Sequence, residues 1–130
     1  MKVIFLDGPS SSGKTTTLKK LYEYLKSTGA QDILPVKICP LGGYDIECYI
    51  SFNGKKIGIV SIGDYALETV FYLGIFFERG ADILVIANSK KEFPYTIVSW
   101  HEDILEQIVI QKQQGANDDD KKVQQIISHI

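Results

Sequence analysis

The segment GPSSSGKT at residues 8–15 constrains this chain more than any other, because it joins two regular elements of different kinds. The run before it, KVIFL at Lys2–Leu6, is apolar and β-branched, which predicts a buried strand. After it, apolar side chains recur at the spacing of one helical face, which predicts a helix from Gly13 to about Ser27. These apolar positions are Leu18, Leu21, Tyr22 and Leu25. The chain therefore passes from a strand through a polar, glycine-flanked loop into an amphipathic helix.

This loop has the residue types that a cradle for phosphate groups requires. Gly8 and Gly13 lack a Cβ atom, so the main chain can approach an anion and adopt positive φ angles. The first turn of the helix presents N–H groups without intrahelical partners, together with a partial positive charge. Lys14 supplies a mobile cation for the β- and γ-phosphates, and Thr15 offers a hydroxyl oxygen to Mg²⁺. The alternative is a flexible loop whose serines only cap the helix.

The loop therefore predicts a site for Mg²⁺ and a nucleoside triphosphate. Lys14 is the predicted catalytic residue of the loop, and Thr15 is a predicted metal ligand. Thr16 lies one residue further and could reach the α-phosphate. The predicted nucleotide-binding residues are Gly8, Pro9, Ser10, Ser11, Ser12, Gly13, Lys14, Thr15 and Thr16.

These residues fit the pattern G-x-x-x-x-G-K-[ST], and on them the chain resembles the P-loop NTPase superfamily, with Gly8–Thr15 as its Walker A motif. The string DGPSSSGKTT is most similar to the P-loops of small nucleotide kinases, such as cytidylate and guanylate kinases. The rest of the chain shares only the general order of strands and helices with them. The resemblance implies a Mg²⁺-dependent nucleotide-binding protein that hydrolyses a nucleoside triphosphate or transfers its phosphoryl group to a small acceptor.

The remaining elements are predicted from periodicity and from turn residues. Asn53-Gly54 between two alternating runs predicts a β-hairpin, and Pro35 and Pro40 allow a short edge strand at most in the segment before it. A helix is expected over Tyr65–Arg79 and a core strand over Ile83–Ala87. Three further predictions are a strand at residues 95–100 (YTIVSW), a helix in HEDILEQIVIQKQQG at residues 101–115, and a last helix that carries Val123, Ile126, Ile127 and Ile130.

This order predicts a single P-loop nucleotide-binding domain over residues 1–130, of the α/β class. The expected architecture is a three-layer α/β/α P-loop NTPase-like domain with a mostly parallel sheet and one β-hairpin. The polar stretch Lys112–Lys122 is interpreted as a solvated connection between two helices.

Asp64 is the predicted acidic partner of the loop. It follows an apolar strand, and the carboxyl ends of parallel strands form the ligand side of an α/β sheet. We predict that it is catalytic and that it positions the metal, its water or the nucleophile. The alternative is a helix N-cap, because Asp64 directly precedes the predicted second helix. Asp7, which follows the first strand, is the second candidate acid and is interpreted as an anchor of the loop.

The sequence favours ATP over GTP. The P-loop GTPases carry N-K-x-D after a core strand, whereas this chain has Asn88-Ser89-Lys90-Lys91 and so lacks the aspartate that reads guanine. This segment is interpreted either as a loop beside the base or phosphates, or as a solvated loop. The hairpin after the first helix resembles that of Ras-like GTPases, but the D-x-x-G motif is absent there. A nucleotide-dependent regulatory module, GTPase-like and with little turnover, is therefore the alternative function.

The kinase interpretation has one gap, which is that the chain contains a single arginine, Arg79. Small kinases neutralise the transferring phosphoryl group with several arginines, and lysine is not an equivalent bidentate donor. The chain is therefore expected to be either a weak stand-alone NTPase or an enzyme whose site a protein partner completes. The formal net charge of −2 and the scattered basic residues predict no binding to nucleic acid or to membranes. Cys39 and Cys48 are interpreted as reduced thiols, and we expect no signal peptide, which together predict a cytoplasmic protein.

Overall fold

The computed structural model describes residues 1–9, 13–38, 45–62, 66–89, 106–113 and 117–130. These residues form six strands and three helices. The strands are β1 (Lys2–Asp7), β2 (Gln31–Ile38), β3 (Ile46–Phe52), β4 (Lys55–Val60), β5 (Ile83–Asn88) and β6 (Glu106–Gln111). The helices are α1 (Lys14–Ser27), α2 (Ala66–Glu78) and α3 (Asp119–Ile127).

All six strands belong to one sheet, in the order β2-β3-β4-β5-β1-β6. The pairs β4–β5, β5–β1 and β1–β6 are parallel, whereas β2–β3 and β3–β4 are antiparallel. The turn between β3 and β4 is Asn53-Gly54, where both residues have positive φ angles of 50° and 77°. This geometry is what a tight hairpin turn requires, and it confirms the predicted hairpin.

The core lies on both faces of the sheet, and the neighbouring strands β1 and β5 are buried along almost their whole length between its two halves. On one face, Ile4, Leu6 and Val85 pack with apolar residues of α1 and α3, including Leu21 and Ile126. The opposite face is covered by α2, where Val3, Phe5, Leu84, Ile86, Leu73 and Phe76 form a second cluster. A strand buried on both faces reads as a continuous apolar run, as the sequence of β1 does.

Several predicted elements are confirmed. Strand β1, helices α1 and α2, and strand β5 end within one residue of the predicted positions. Helix α3 carries three of the four predicted apolar residues, Val123, Ile126 and Ile127, and ends before Ile130. Strand β2 lies at the sheet edge, as predicted, but with eight residues it is longer than expected. Its pairing with β3 is irregular between Leu34 and Lys37, on either side of Pro35. The predicted strand at residues 95–100 lies outside the described residues.

The predicted fold, a three-layer α/β/α P-loop NTPase-like domain with a mostly parallel sheet, is wrong. The sheet is mixed, because β2, β3 and β4 form an antiparallel part that makes up half of its strands. The segment at Glu106–Gln111 is a strand, although a helix was predicted there. Its run Ile108-Val109-Ile110 is β-branched and extends readily, and β1 needs a neighbour on its second side to satisfy its main-chain groups. No helix within the described ranges is long and apolar enough to span a membrane.

Candidate functional site

The glycine-flanked loop begins where β1 ends, and it is fixed to the strands on both sides. The Gly8 amide donates a hydrogen bond to the Asn88 carbonyl oxygen of β5 at 3.1 Å. On the other side, the Lys112 amide donates to the Asp7 carbonyl oxygen at 2.7 Å. The entrance of the loop is therefore held at the carboxyl ends of three parallel strands, β5, β1 and β6.

The loop ends at Gly13, the residue before α1. Gly13 has a φ angle of 85°, which is the left-handed conformation, and no side chain caps the helix in the part of the chain that the structure describes. The first turn of α1 also contains no acidic residue. Its N–H groups and the positive end of the helix dipole are thus directed at the loop, which is the arrangement that attracts an anion.

Lys14 is the first residue of α1, and its side chain is buried against the loop. Its Nζ atom donates hydrogen bonds to the Gly8 carbonyl oxygen at 2.6 Å and to the Asn88 carbonyl oxygen at 3.2 Å. Lys14 is only 6% exposed, so an ammonium group is held inside the protein beside the helix N-terminus. A buried charge is costly unless it is hydrogen-bonded, and these two carbonyl oxygens meet part of that requirement.

Thr15 contacts a carboxylate that the sequence did not single out. Its Oγ1 donates a hydrogen bond to Asp45 Oδ1 at 3.1 Å. The same Asp45 oxygen accepts a hydrogen bond from Ser61 Oγ at 3.0 Å, and Ser61 Oγ accepts one from the Ile46 amide at 2.7 Å. Asp45 precedes β3 and Ser61 follows β4, so this chain of bonds joins the loop to the hairpin.

The oxygen atoms at Thr15 and Asp45 fit a magnesium ion that is bound mainly by phosphates and water. Mg²⁺ in nucleotide sites takes one or two protein oxygens and keeps several waters, so a cage of many protein ligands is not required. The described residues contain no group of three or more His, Cys, Asp or Glu that could hold a metal by itself. Because Thr15 donates its proton to Asp45, a lone pair of its hydroxyl oxygen stays available for a cation.

A second buried lysine, Lys112, lies on the other side of Gly13. Its Nζ atom forms hydrogen-bonded ion pairs of 2.8 Å with Asp118 and with Asp119, at the start of α3. Asp119 Oδ1 also accepts a hydrogen bond of 2.7 Å from Thr17 of α1. Lys112 is 2% exposed, so the prediction of a solvated connection over Lys112–Lys122 is wrong at its first residue.

The charges around Lys112 stabilise each other. The hydrogen bond from Lys112 is the main reason that the pKa of Asp118 lies below its usual value. Burial opposes ionisation of Asp119, but hydrogen bonds from Lys112 and Thr17 outweigh it and lower the pKa of this carboxyl. Burial also disfavours the charged form of Lys112, yet its two carboxylate partners raise its pKa. All three groups are thus ionised at neutral pH, which fixes α3 against the first turns of α1.

The structure brings some of the predicted site residues together. Gly8, Gly13, Lys14 and Thr15 surround the same loop, while Pro9 and Thr16 are exposed beside it. The predicted binding residues Ser10, Ser11 and Ser12 lie outside the described residues, and so does Asp64, the predicted catalytic and metal-binding acid.

The strand order bears on the predicted acidic partner. Strand β4, which precedes Asp64, is separated from β1 by β5. Its end therefore lies two strand spacings, about 10 Å, from the end of β1. Asp45 is the acid that contacts Thr15 in the described part of the chain.

Three residues at the site were missed or assigned differently from sequence. Asp45 stands directly before an alternating strand and carried no motif, although an acid at the start of a strand pair near the loop is a usable signal. Asn88 was expected in a loop, but it is the last residue of β5. Lys112 is an isolated lysine after an apolar run, which is also how a surface lysine looks in a sequence.

Comparisons with protein-family models, with curated proteins and with solved structures find no match to this chain. The function of this chain is therefore inferred from the chemistry of the residues around Gly8–Thr16.

Proposed function

We propose that this chain is a P-loop protein that binds a nucleoside triphosphate with Mg²⁺ at Gly8–Thr16, and that it hydrolyses the nucleotide or transfers its terminal phosphoryl group to a small acceptor. The observation that carries the proposal is the position of Lys14. Its buried ammonium group lies at the N-terminus of α1 and against the carbonyl oxygens at the ends of β1 and β5. An ammonium group, helical N–H groups without intrahelical partners and the helix dipole all favour a polyanion at this point.

Each residue of the site has a role in this proposal. The loop N–H groups hold the phosphates, and Lys14 interacts with the β- and γ-phosphates. Thr15 ligates Mg²⁺ through its hydroxyl oxygen. Asp45 accepts the hydrogen bond from this hydroxyl group and holds a water of the metal. Mg²⁺ supplies charge neutralisation on the phosphate oxygens that the reaction loads with negative charge. Asp64 stays a predicted metal-positioning or catalytic residue.

ATP is the proposed nucleotide, because no guanine-reading aspartate follows Asn88. We place the activity in the cytoplasm, where nucleoside triphosphates are abundant.

Burial raises the pKa of the Cys48 thiol to about 12, so this cysteine stays protonated and unreactive, as a structural thiol does.

A regulatory module with little turnover is the second candidate, and one observation favours it. The hydrogen bonds from Thr15 to Asp45 and from Ser61 to Asp45 connect the loop directly to the strands of the hairpin. A ligand that repositions Thr15 would therefore act on β3 and β4.

Leu67 and Phe71 are exposed on α2, and apolar side chains of this kind offer a contact to a protein partner that completes the site.

The test of the proposed function is a binding and turnover series on the full chain. We expect ATP with Mg²⁺ to raise the melting temperature more than GTP, CTP or UTP, and tripolyphosphate to retain part of the effect. Lys14→Ala should abolish the shift, because the phosphates lose their buried cation. Phosphate release is then measured alone and with nucleosides, nucleoside monophosphates or sugars as acceptors. If no triphosphate binds at millimolar concentration with Mg²⁺, or if Lys14→Ala binds as well as the wild type, the proposal is wrong.

The variant Asp45→Asn distinguishes the contribution of Mg²⁺ to ATP affinity from the contribution of the phosphate contacts. We expect its ATP affinity without Mg²⁺ to match that of the wild type, while the gain from added Mg²⁺ falls by about 10-fold, as is typical when a partner of a metal ligand is removed. Asp32→Asn is the matched control, because Asp32 binds Tyr22 and Lys26 at the surface. An unchanged Mg²⁺ dependence of nucleotide affinity in Asp45→Asn would remove Asp45 from the metal site.

A further inference from the structure

The side-chain amide of Asn88 is buried and has no hydrogen-bond partner among the described residues. The residue is 0% exposed, and neither Nδ2 nor Oδ1 is hydrogen-bonded in the part of the chain that the structure describes. Buried polar side chains in native proteins are nearly always bonded, and an exception calls for a reason. Asn88 is the only residue among the described ones with such unsatisfied side-chain atoms.

The other buried polar residues near the loop show how unusual this is. Thr17 donates to Asp119 at 2.7 Å, and Ser61 donates to Asp45 at 3.0 Å. Lys112 has two carboxylate partners at 2.8 Å. The buried polar groups around Asn88 are therefore hydrogen-bonded, whereas its amide is not bonded to any described residue. A residue that served only for packing would not need an amide at this position. An apolar side chain of similar size would fill the same space without that cost.

The position of Asn88 relates the open amide to the phosphate loop. Asn88 is the last residue of β5 and lies opposite Asp7, the last residue of β1, in the parallel register. Its carbonyl oxygen accepts hydrogen bonds from the Gly8 amide and from Lys14 Nζ. The residue thus touches both the start of the loop and the ammonium group that is assigned to the outer phosphates.

The face on which the side chain lies follows from strand alternation. Leu84 and Ile86 of β5 pack in the cluster with α2, whereas Val85 and Ala87 pack in the cluster with α1 and α3. Asn88 continues the first set, so its side chain lies on the α2 face. The amide is thus at the carboxyl end of the sheet, next to the loop and on the face opposite to α1.

We propose that the Asn88 amide binds the terminal phosphoryl group of the nucleoside triphosphate, an inference that rests on the proposed function. Nδ2 donates to an oxygen of the third phosphate, and Oδ1 accepts from a water or an acceptor hydroxyl held against that phosphate. An amide is suited to this pair of contacts, because it carries a donor and an acceptor on one planar group. Asn88 then discriminates triphosphates from diphosphates, while the loop N–H groups bind both.

The test compares a non-hydrolysable ATP analogue with ADP by titration calorimetry, both with Mg²⁺. In Asn88→Leu we expect the preference for the triphosphate to fall about 10-fold, with ADP affinity unchanged, because only the contact to the third phosphate is lost. The nucleotide-free variant should melt at a higher temperature than the wild type, since an unsatisfied buried amide is replaced by an apolar group of similar volume. Gln125→Leu, at an exposed amide of α3, is the control and should not change the preference for the triphosphate.

A second variant keeps the test decisive if Asn88→Leu does not fold. Asn88→Asp has the same shape but turns the donor into an acceptor, so it should weaken triphosphate binding more than Asn88→Leu and leave ADP binding in place. If either folded variant keeps the wild-type preference for the triphosphate, the assignment of Asn88 is wrong while the proposed function stands. If the wild type binds neither nucleotide, both proposals fail together.

Discussion

Two buried lysines lie on either side of Gly13, and the protein treats their charges in opposite ways. Lys112 on the β6 side is bonded to two carboxylates, Asp118 and Asp119. Among the described residues, Lys14 on the β5 side donates hydrogen bonds to the carbonyl oxygens of Gly8 and Asn88, and these two oxygens carry no formal charge.

The two lysines therefore have different kinds of partner, which suggests different roles for the two sides of the loop. Lys112, with its two carboxylate partners, holds the start of α3 against the end of β6. The carbonyl oxygens that Lys14 contacts carry no formal charge, and in the proposed function its ammonium group interacts with the phosphates. In the proposed function, the β6 side supports the loop, and the β5 side, with Lys14 and Asn88, binds the phosphates.

The largest expected effect is the contrast between Lys112→Met and Lys14→Met. Removing Lys112 leaves two neighbouring carboxylates without their cation, so the free energy of unfolding should fall by about 3 kcal/mol, or roughly 10 °C in melting temperature. Lys14→Met should lose less than half as much stability and yet lose nucleotide binding. Urea unfolding and titration with ATP measure both quantities. Equal losses of stability in the two variants would break the distinction between the two sides.

A smaller effect is expected for Gly13→Ala, which acts where the two sides meet. Gly13 has a positive φ angle, and an added Cβ atom would lie 3.1 Å from Lys112 Cε. The backbone conformation alone should cost about 1–2 kcal/mol in unfolding free energy, and the crowding should add to it. Gly80→Ala is the matched control, because Gly80 has a φ angle of 78° and nothing within 4 Å of an added Cβ. If Gly13→Ala is no less stable than Gly80→Ala, the contact with Lys112 is not restrictive.

The smallest effect is a change in pH dependence on the β6 side. The pKa values of Asp118 and Asp119 are lowered in the folded state, with the hydrogen bonds from Lys112 as the stabilising contribution to both. Lowered carboxyl pKa values stabilise the fold above the unfolded value of about 3.9, and this stability is lost as the pH falls below it. As the pH falls from about 6 to about 3, the free energy of unfolding of the wild type should therefore decrease more steeply than that of Lys112→Met. Parallel curves in urea unfolding across this range would show that these carboxyls do not contribute.

The sequence singled out the residues at Gly8–Thr15 but not those that support them. The structure places Gly13 in the left-handed conformation, Lys14 against the Gly8 carbonyl oxygen and Thr15 against Asp45. Asp45 and Lys112 reach the loop from the chain before β3 and after β6, and sequence spacing does not encode such tertiary contacts.

The fold was predicted only in part for a related reason. Local signals placed β1, α1 and the Asn53-Gly54 hairpin correctly, because turn residues and short periodicities decide them. The segment Glu106–Gln111 has apolar residues that suit a helix or a strand, and pairing with β1 decides between the two. The antiparallel part of the sheet likewise depends on the pairing of β2 with β3, and β-strand propensity alone does not specify this pairing.

The main-chain bonds on both sides of Asp7 and Gly8 have a consequence for the thermodynamics of ligand capture. The bonds of 3.1 Å to Asn88 and 2.7 Å from Lys112 clamp the entrance of the loop when the protein folds. The conformational entropy of these residues is therefore lost during folding, before any ligand arrives. Capture of a polyanion should consequently need little further ordering at this entrance, and a preorganised entrance of this kind favours tight binding by a small contact area.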